Sequence, residues 1–437
     1  MSDRDLGPLS PRGAALDLLE AVLRRGRTLD NAIPDHPGFA GLDGRDRAFA
    51  RLLTATTLRR LGQIDAVIDA ALERPLPRKT QDVRDILRLG TVQLLFLDTP
   101  PHAAVTTAVD LAQARKHGPH KKLVNAVLRR LGRQGRALAE AQDAARLNTP
   151  DWLWESWTAA YGEAACRRIA EAHLSEAPLD ITLKADTADD SNLWAEKLDA
   201  RVLPTGSLRR EAGGMIADLP GFKDGAWWVQ DAASALPVKL LGDVKGKRVL
   251  DLCAALGGKT AQLAARGAHV TAIDRSEKRL KILRENLDRL GLVAELVCAD
   301  AAEWKPVEVA DAALVDAPCS STGTIRRHPD VARLKTPGDI SKLTGVQDRL
   351  LAVAVDMVHP GGLIVYSSCS LQPEEGPDRI TVLLDTGAPV TRVDAQPDDI
   401  GGLKEVISAD GDLHCLPCHL SDLGGMDGIY AARLKRN

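Results

Sequence analysis

Two short segments hold the residues best suited to covalent chemistry: Asp316-Ala-Pro-Cys-Ser320 and Ser367-Ser-Cys-Ser370. Each follows an apolar run, AALV in the first and GLIVY in the second, so Cys319 and Cys369 are expected just past the carboxyl ends of two strands. The thiolate is the nucleophile a cysteine offers. A single buried cysteine is more often a packing residue. Two at strand ends, set among Ser, Pro and Asp, fit a reactive pair better.

A third segment, Asp251-Leu-Cys-Ala-Ala-Leu-Gly-Gly-Lys-Thr260, runs from an apolar strand through paired glycines into a helix. Glycines let backbone approach a ligand closely, and a helix start leaves N–H groups free. Downstream, HVTAID places Asp274 at a strand tip, where a carboxylate can accept from both hydroxyls of a ribose. Asp300 ends the next strand, within reach of an adenine amino group. A nicotinamide dinucleotide site would share the strand-tip acid, so this half leaves two cofactors open, with S-adenosylmethionine favoured. The G-G-K-T run lacks the rest of a phosphate loop, which argues against an ATPase.

Taken with the two cysteines, the methyl donor suggests a specific reaction. Carbon 5 of cytosine is a poor nucleophile. A thiolate that adds to carbon 6 turns the ring into an enamine-like species able to attack a methyl group; a base then removes the C5 proton and the thiolate leaves. A nucleophile, an acid against N3 and the amino group, and a second group to assist release are what the two segments offer. The residues alone do not rank Cys319 against Cys369.

The elements that must position these groups alternate from Lys247 onward: RVLDLCA, a helix after Gly258, HVTAID, a helix over Ser276 to Leu290, AELVCAD, AALVDAP, a helix around Val346 to Val358, and GLIVYSS. Such alternation predicts a doubly wound α/β sheet whose ligands bind beyond the carboxyl ends of the strands. Residues 10–133 instead read as helices only: one opens at the N-cap Ser10 before Pro11, and others cover Gly44 to Leu61, Ile64 to Glu73, Thr80 to Leu97, Ala103 to His117 and Lys121 to Leu131. Between them a small α+β module is expected, with strands at Leu179 to Leu183 and near Gly225 to Val229. The division is a helical domain over 8–140, a linker and small module over 141–235, and a catalytic domain over 236–437.

Charge follows that division. Residues 1–150 hold 24 Lys and Arg against 17 Asp and Glu, and the remainder 33 against 43. In the helix KKLVNAVLRRLGRQGR, Lys121, Lys122, Arg129, Arg130, Arg133 and Arg136 surround an apolar stripe, which suits a phosphate backbone. Seven cysteines, an odd number spread through the chain, argue for free thiols in a reducing compartment. The start MSDRDLGPLS is no secretory leader, and no apolar run reaches the roughly 20 residues of a membrane span. The expected location is the cytoplasm.

The motifs DAPCSSTGTIRRHPD and YSSCSLQPEEG, the helix end VNAVLRRL, the segments LPGF and VQDAAS, and the closing GGMDGIYAARL together resemble the Nol/Nop/Sun-type RNA cytosine-5 methyltransferases over nearly the whole chain. The helical part resembles a NusB-like RNA-binding domain. The resemblance implies a class I, Rossmann-like methyltransferase domain, a monomer using S-adenosylmethionine, and a target cytosine in small-subunit ribosomal RNA. Carried over motif by motif, it makes Cys369 the nucleophile and Cys319 the cysteine that helps elimination. It puts Asp316 against the cytosine and near the cofactor, and Lys259 by the base or the cofactor's carboxylate. The cofactor would rest on Cys253, Ala254, Ala255, Leu256, Gly257, Gly258 and Lys259, with Asp274 on the ribose and Asp300 near the adenine. Two positions depart from the family: Leu256 stands where proline is usual, a change worth on the order of 1 kcal/mol of cofactor binding, and Ser368 where threonine is commoner. A transfer-RNA cytosine-5 methyltransferase and a non-catalytic RNA-binding assembly factor are the alternatives.

Three further features have competing readings. His414-Cys-Leu-Pro-Cys-His419 matches a haem-attachment pattern and half a zinc site, yet reads best as a loop with incidental thiols, and no metal is expected. The arginines of Arg326-Arg-His-Pro-Asp330, beside the cysteine crevice, are expected to hold RNA phosphates. Trp152, Trp154, Trp157, Trp227 and Trp228 suit packing better than base stacking.

Overall fold

The computed structural model describes residues 10–184, 190–211 and 213–437. The N-terminal stretch behind the leader reading, and the domain start at residue 8, lie outside them. The chain forms two compact units: residues 1–175 with 325–335, and residues 176–324 with 336–437.

The first unit is helical. Ser10 Oγ accepts from the N–H of Gly13 at 3.0 Å and Pro11 follows it, so the first helix, Pro11–Leu23, starts where the cap and the proline require. Further helices span Gly44–Arg59, Leu61–Ala71, Gln81–Leu95 and Pro101–Ala114, close to the predicted ranges. Leu19, Leu53, Leu58, Ile64, Ile86 and Leu128 are fully buried among them. The helix expected to end at Leu131 continues to Glu140. Glycine in mid-helix costs up to about 1 kcal/mol, but Gly135 is buried where a Cβ would press on Leu95, so packing carries the helix through. Lys122, Arg129, Arg130, Arg133 and Arg136 are exposed along it.

The helices Asp151–Tyr161 and Glu163–Ala172 also belong to this unit. Trp157 is fully buried and its ring sits 5.4 Å from that of His173. Trp227 and Trp228, in the second unit, are buried too, in keeping with packing.

Residues 325–335 correct one expectation. Arg326 is 2% exposed, and its carbonyl accepts from Arg59 at 3.0 Å. Asp330 accepts from the N–H of Leu29 at 2.9 Å, and His328 pairs with Asp30 at 3.3 Å. Arg326 is therefore a core residue of the helical unit. Sequence order alone gave no sign that this stretch leaves the unit it interrupts.

Burial, with Arg326 and Arg59 nearby, pushes the imidazole of His173 down to about 3. The unfolded chain binds a proton there near pH 6.5 and the folded chain does not, so stability is intact above that pH and falls as pH drops toward 3. By pH 5 the expected loss is about 2 kcal/mol. Urea unfolding at pH 7 and pH 5 should show a smaller pH dependence in His173→Gln than in the wild type.

The second unit carries two sheets. The smaller is antiparallel, β2-β3-β1-β4, from β1 (Leu179–Leu183), β2 (Arg201–Val202), β3 (Leu208–Arg210) and β4 (Trp227–Val229). Asp180 and Arg209 face one another across β1 and β3 as a fully buried pair.

The larger sheet contains β5 (Arg248–Leu252), β6 (His269–Asp274), β7 (Glu295–Cys298), β8 (Ala310–Asp316), β9 (Val358–Ser368), β10 (Val390–Arg392), β11 (Leu413–Cys415) and β12 (Ile429–Arg436). Its order is β10-β12-β9-β8-β5-β6-β7, with β11 also on β12. Strands β5 to β9 pair in parallel and β12 runs against β9. The chain proceeds outward from β5 through β6 to β7, then returns to β8 on the other side of β5. The carboxyl ends of β5 and β8 thus border a switch point, where doubly wound sheets bind ligands. The helix expected near Val346 begins nine residues earlier, at Pro337, because Thr336 and Asp339 form a capping box there. Among the described residues no helix is long and apolar enough to cross a membrane.

Candidate active site

The two cysteines meet. Strands β8 and β9 are parallel neighbours with Asp316 opposite Ser367, so the residues that follow leave the sheet side by side. Cys319 Sγ lies 3.2 Å from Cys369 Sγ, and Ser321 Oγ lies 3.5 Å from Cys369 Sγ. Ser321 takes a positive φ of 62°, which turns its short side chain back toward the thiols.

The loops are held from behind. The N–H of Gly323 donates to the carbonyl of Cys369 at 3.0 Å, and Gly428, entering β12, donates to the carbonyl of Gly323 at 2.8 Å. A Cβ on Gly323 would fall 2.1 Å from the carbonyl oxygen of Gly428, so only glycine allows this approach. Glu375, fully buried, accepts from Ser320 N at 2.9 Å, from the Ser320 hydroxyl, and from Gln347 Nε2 at 3.1 Å. Ser320 Oγ and Ser370 Oγ are 3.0 Å apart, which joins the two loops directly.

The thiols are not equivalent. Cys319, hydrogen-bonded to the other sulfur, buried, and near Glu375, is pushed well above the ordinary thiol value. Cys369 is lowered, first by the hydrogen bond it accepts from Cys319 and then by Ser321 and the positive charge of Lys259, against burial and Asp316. Cys369 is the sulfur better able to carry charge.

Lys259 and Asp316 form a second pair beside them. Lys259 Nζ lies 2.8 Å from Asp316 Oδ2, and the Ser367 hydroxyl donates to Asp316 Oδ1 at 3.0 Å. Burial alone would lower the ammonium of Lys259, but Asp316, with Cys369 and Asp251, together outweigh it and the group is held protonated.

The glycine turn sits at the end of β5. Gly257 has φ +100°, and a Cβ there would strike Leu283 at 2.7 Å. Gly258 opens the helix to Ala265. Asp251 is buried; its Oδ2 accepts from Thr260 at 2.6 Å, its Oδ1 has no partner among the described residues, and burial pushes it up to about 7. Cys253 is pushed up to about 12 by burial. Asp274 accepts from Ala255 N at 3.2 Å and Ser276 N at 2.9 Å, which ties the tip of β6 to the turn. Asp300 lies two residues past β7, where Cys298 pairs with Asp274, and accepts from its own neighbour Ala302 N at 2.9 Å. Leu256 is half exposed at the crest of the turn.

A family model for the 16S rRNA methyltransferase RsmB/F matches residues 238–435, and one for the NusB family matches residues 9–133. The ribosomal RNA small subunit methyltransferase B of Vibrio cholerae is 34% identical over 98% of both chains. The chain belongs to the RsmB/F family. It pairs a helical NusB domain with a methyltransferase domain. Two solved structures share the fold: PH0851, with a TM-score of 0.75 at 22% identity over 98% of this chain and 99% of that one, and NSun6 from Pyrococcus horikoshii with SFG, with a TM-score of 0.55 at 18% identity over 66% and 98%.

Of the anticipated residues, Cys369, Cys319, Asp316 and Lys259 fall into two touching pairs, and Asp274 binds the glycine turn. Ser321, Ser367 and Glu375 were not anticipated. The serines sit inside the quoted motifs as plain polar residues, and nothing in PEEG distinguishes a buried glutamate from an exposed one. At His414 to His419, Cys415 is buried on β11, and the described residues contain no group of three or more metal-binding side chains.

Proposed function

We propose that this family member transfers a methyl group from S-adenosylmethionine to carbon 5 of a cytosine in 16S ribosomal RNA, through a covalent bond from Cys369 to carbon 6. The observation that carries this reading is the pair of thiols 3.2 Å apart, one favoured as thiolate, beside the Lys259–Asp316 pair. The name of the Vibrio cholerae relative supports the RNA substrate.

The glycine turn fits the cofactor. Gly257 lets the turn pack down on Leu283, Asp251 keeps a buried oxygen unpartnered, and Asp274 holds the turn at the strand tip beside Arg279. Cys253 to Lys259, Asp274, Asp300 and Asp316 would hold it. S-adenosylmethionine supplies an electrophilic methyl group when bound there.

The chain's own residues do the rest. Cys369 adds its thiolate to carbon 6, and the Asp316 carboxylate, fixed between Lys259 and Ser367, accepts from the amino group of the ring. Lys259 keeps positive charge beside the attacking sulfur. Once carbon 5 is methylated, a base takes its proton, the C–H electron pair forms the C5=C6 double bond and the Cys369 thiolate leaves carbon 6, with Cys319 assisting that release. The basic helix Lys121–Glu140 offers cations to the RNA backbone. Free thiols fit a cytoplasmic setting.

Replacing Asp274 by Ala should weaken S-adenosylmethionine binding about tenfold or more by calorimetry, through lost charge-assisted hydrogen bonds. The reaction itself is tested with tritiated S-adenosylmethionine and small-subunit RNA from a strain lacking the enzyme. Label in 5-methylcytosine supports the reading. Label with transfer RNA only would replace the substrate, and label with neither would favour an assembly factor.

A further inference from the structure

Glu375 has no part in the chemistry described so far, yet it is fully buried directly behind the reactive loops. Three donors point at its two carboxylate oxygens. Oε1 takes the Ser320 N–H and Gln347 Nε2, and Oε2 takes the Ser320 hydroxyl. Its backbone carbonyl takes the Tyr366 hydroxyl at 2.8 Å, which fixes the residue to β9. Gln347 also donates to the carbonyl of Pro318 at 2.9 Å, so both neighbours of Cys319 are gripped by one network. An acceptor-only carboxylate satisfies all of these donors.

We propose that Glu375 is a positioning residue for the thiol pair: its buried carboxylate, one residue behind Cys319, fixes Cys319 as the thiol that donates and Cys369 as the sulfur that accepts. This rests on the reading of Cys369 as nucleophile. The two sulfurs are chemically identical and in contact, so what separates them is what surrounds each. Cys369 faces Lys259, Ser321 and Asp316; Cys319 faces Cys369, Ser368 and Glu375. Tyr366 of β9, which donates to the Glu375 carbonyl, lies within reach of the charges of Glu375 and of the Arg379–Asp348 pair, whose charges offset each other at 2.8 Å. Lys259 and Asp316 act on Cys369 with opposite signs, so what separates the pair is the hydrogen bonding that favours charge on Cys369 and the Glu375 carboxylate that disfavours it on Cys319.

Alkylation of the protein without RNA or cofactor tests this apart from the methylation reading. Iodoacetamide labelling across pH, with each cysteine quantified by mass spectrometry, should modify Cys369 before Cys319 in the wild type. In Glu375→Gln, which keeps the shape and can be re-satisfied by rotation of the Ser320 hydroxyl, Cys319 labelling at pH 8 should rise about tenfold. Ser320→Ala, which keeps the carboxylate, should retain the wild-type order. Faster labelling of Cys319 than of Cys369 in the wild type overturns the proposal without any variant. So does a folded Glu375→Gln protein with unchanged labelling. If the labelling follows expectation but no RNA is methylated, the thiol asymmetry stands and the cytosine reading fails.

Discussion

Replacing Cys319 by Ala should convert the protein into one that captures its RNA covalently, whereas Cys369→Ala should neither capture nor methylate. The two sulfurs are 3.2 Å apart, yet Cys369 is lowered and Cys319 raised from the ordinary thiol value, which is the asymmetry the proposed division of tasks requires. If Cys369 is the nucleophile as proposed, no carbon 6 adduct forms without it, and methylation should fall at least about 10⁴-fold, roughly 5 kcal/mol of lost transition-state stabilisation. Without Cys319 the nucleophile loses a hydrogen-bond donor, so addition slows. Release loses its assisting group and slows more, and the adduct accumulates. Denaturing gels after incubation with RNA and S-adenosylmethionine should show a shifted band for Cys319→Ala alone. A shifted band for Cys369→Ala alone would exchange the two roles.

The largest stability effect should come from the small sheet. Arg209 meets Asp180 through two hydrogen bonds of 2.6 Å, and its remaining nitrogen donates to the carbonyls of Leu423 and Gly425. Asp180 also accepts from the N–H of Ala232 at 2.9 Å. Both side chains are essentially without solvent contact, at 1% and 0% exposure. Arg209→Met would leave a buried carboxylate opposite an apolar chain and should cost about 3–5 kcal/mol. Asp180→Leu in the same chain removes the stranded charge and should restore part of that loss, since a buried pair is often no better than an apolar one. Urea midpoints of the single and double variants check this; a single variant within 1 kcal/mol of wild type would show that water reaches the pair.

The catalytic half was legible because its signals are local. Parallel strands make continuous apolar runs that stop where the sheet stops, so Cys319, Cys369, Asp274 and the glycine turn announce their position by what precedes them. What was not legible depends on distant partners. Arg326 lies in a stretch that reads as polar and basic, and only its packing with Arg59 in the helical unit reveals it as core. Glu375 looks like its neighbour Glu374 until Ser320 and Gln347 are brought to it by the fold. The start of the helix at Pro337 is hidden in the sequence because its cap, Thr336 to Asp339, precedes a weakly apolar first turn. The helix from Lys121 shows the reverse case: it passes Gly132, just beyond its expected end at Leu131, and continues to Glu140.

The decisive measurement is the identity of the residue bonded to RNA. Cys319→Ala protein, incubated with small-subunit RNA and S-adenosylmethionine, digested with nuclease and protease and read by mass spectrometry, should yield a peptide with 5-methylcytidine joined to Cys369. A nucleotide on any other residue, or complete methylation with no adduct in either cysteine variant, would contradict covalent catalysis by Cys369.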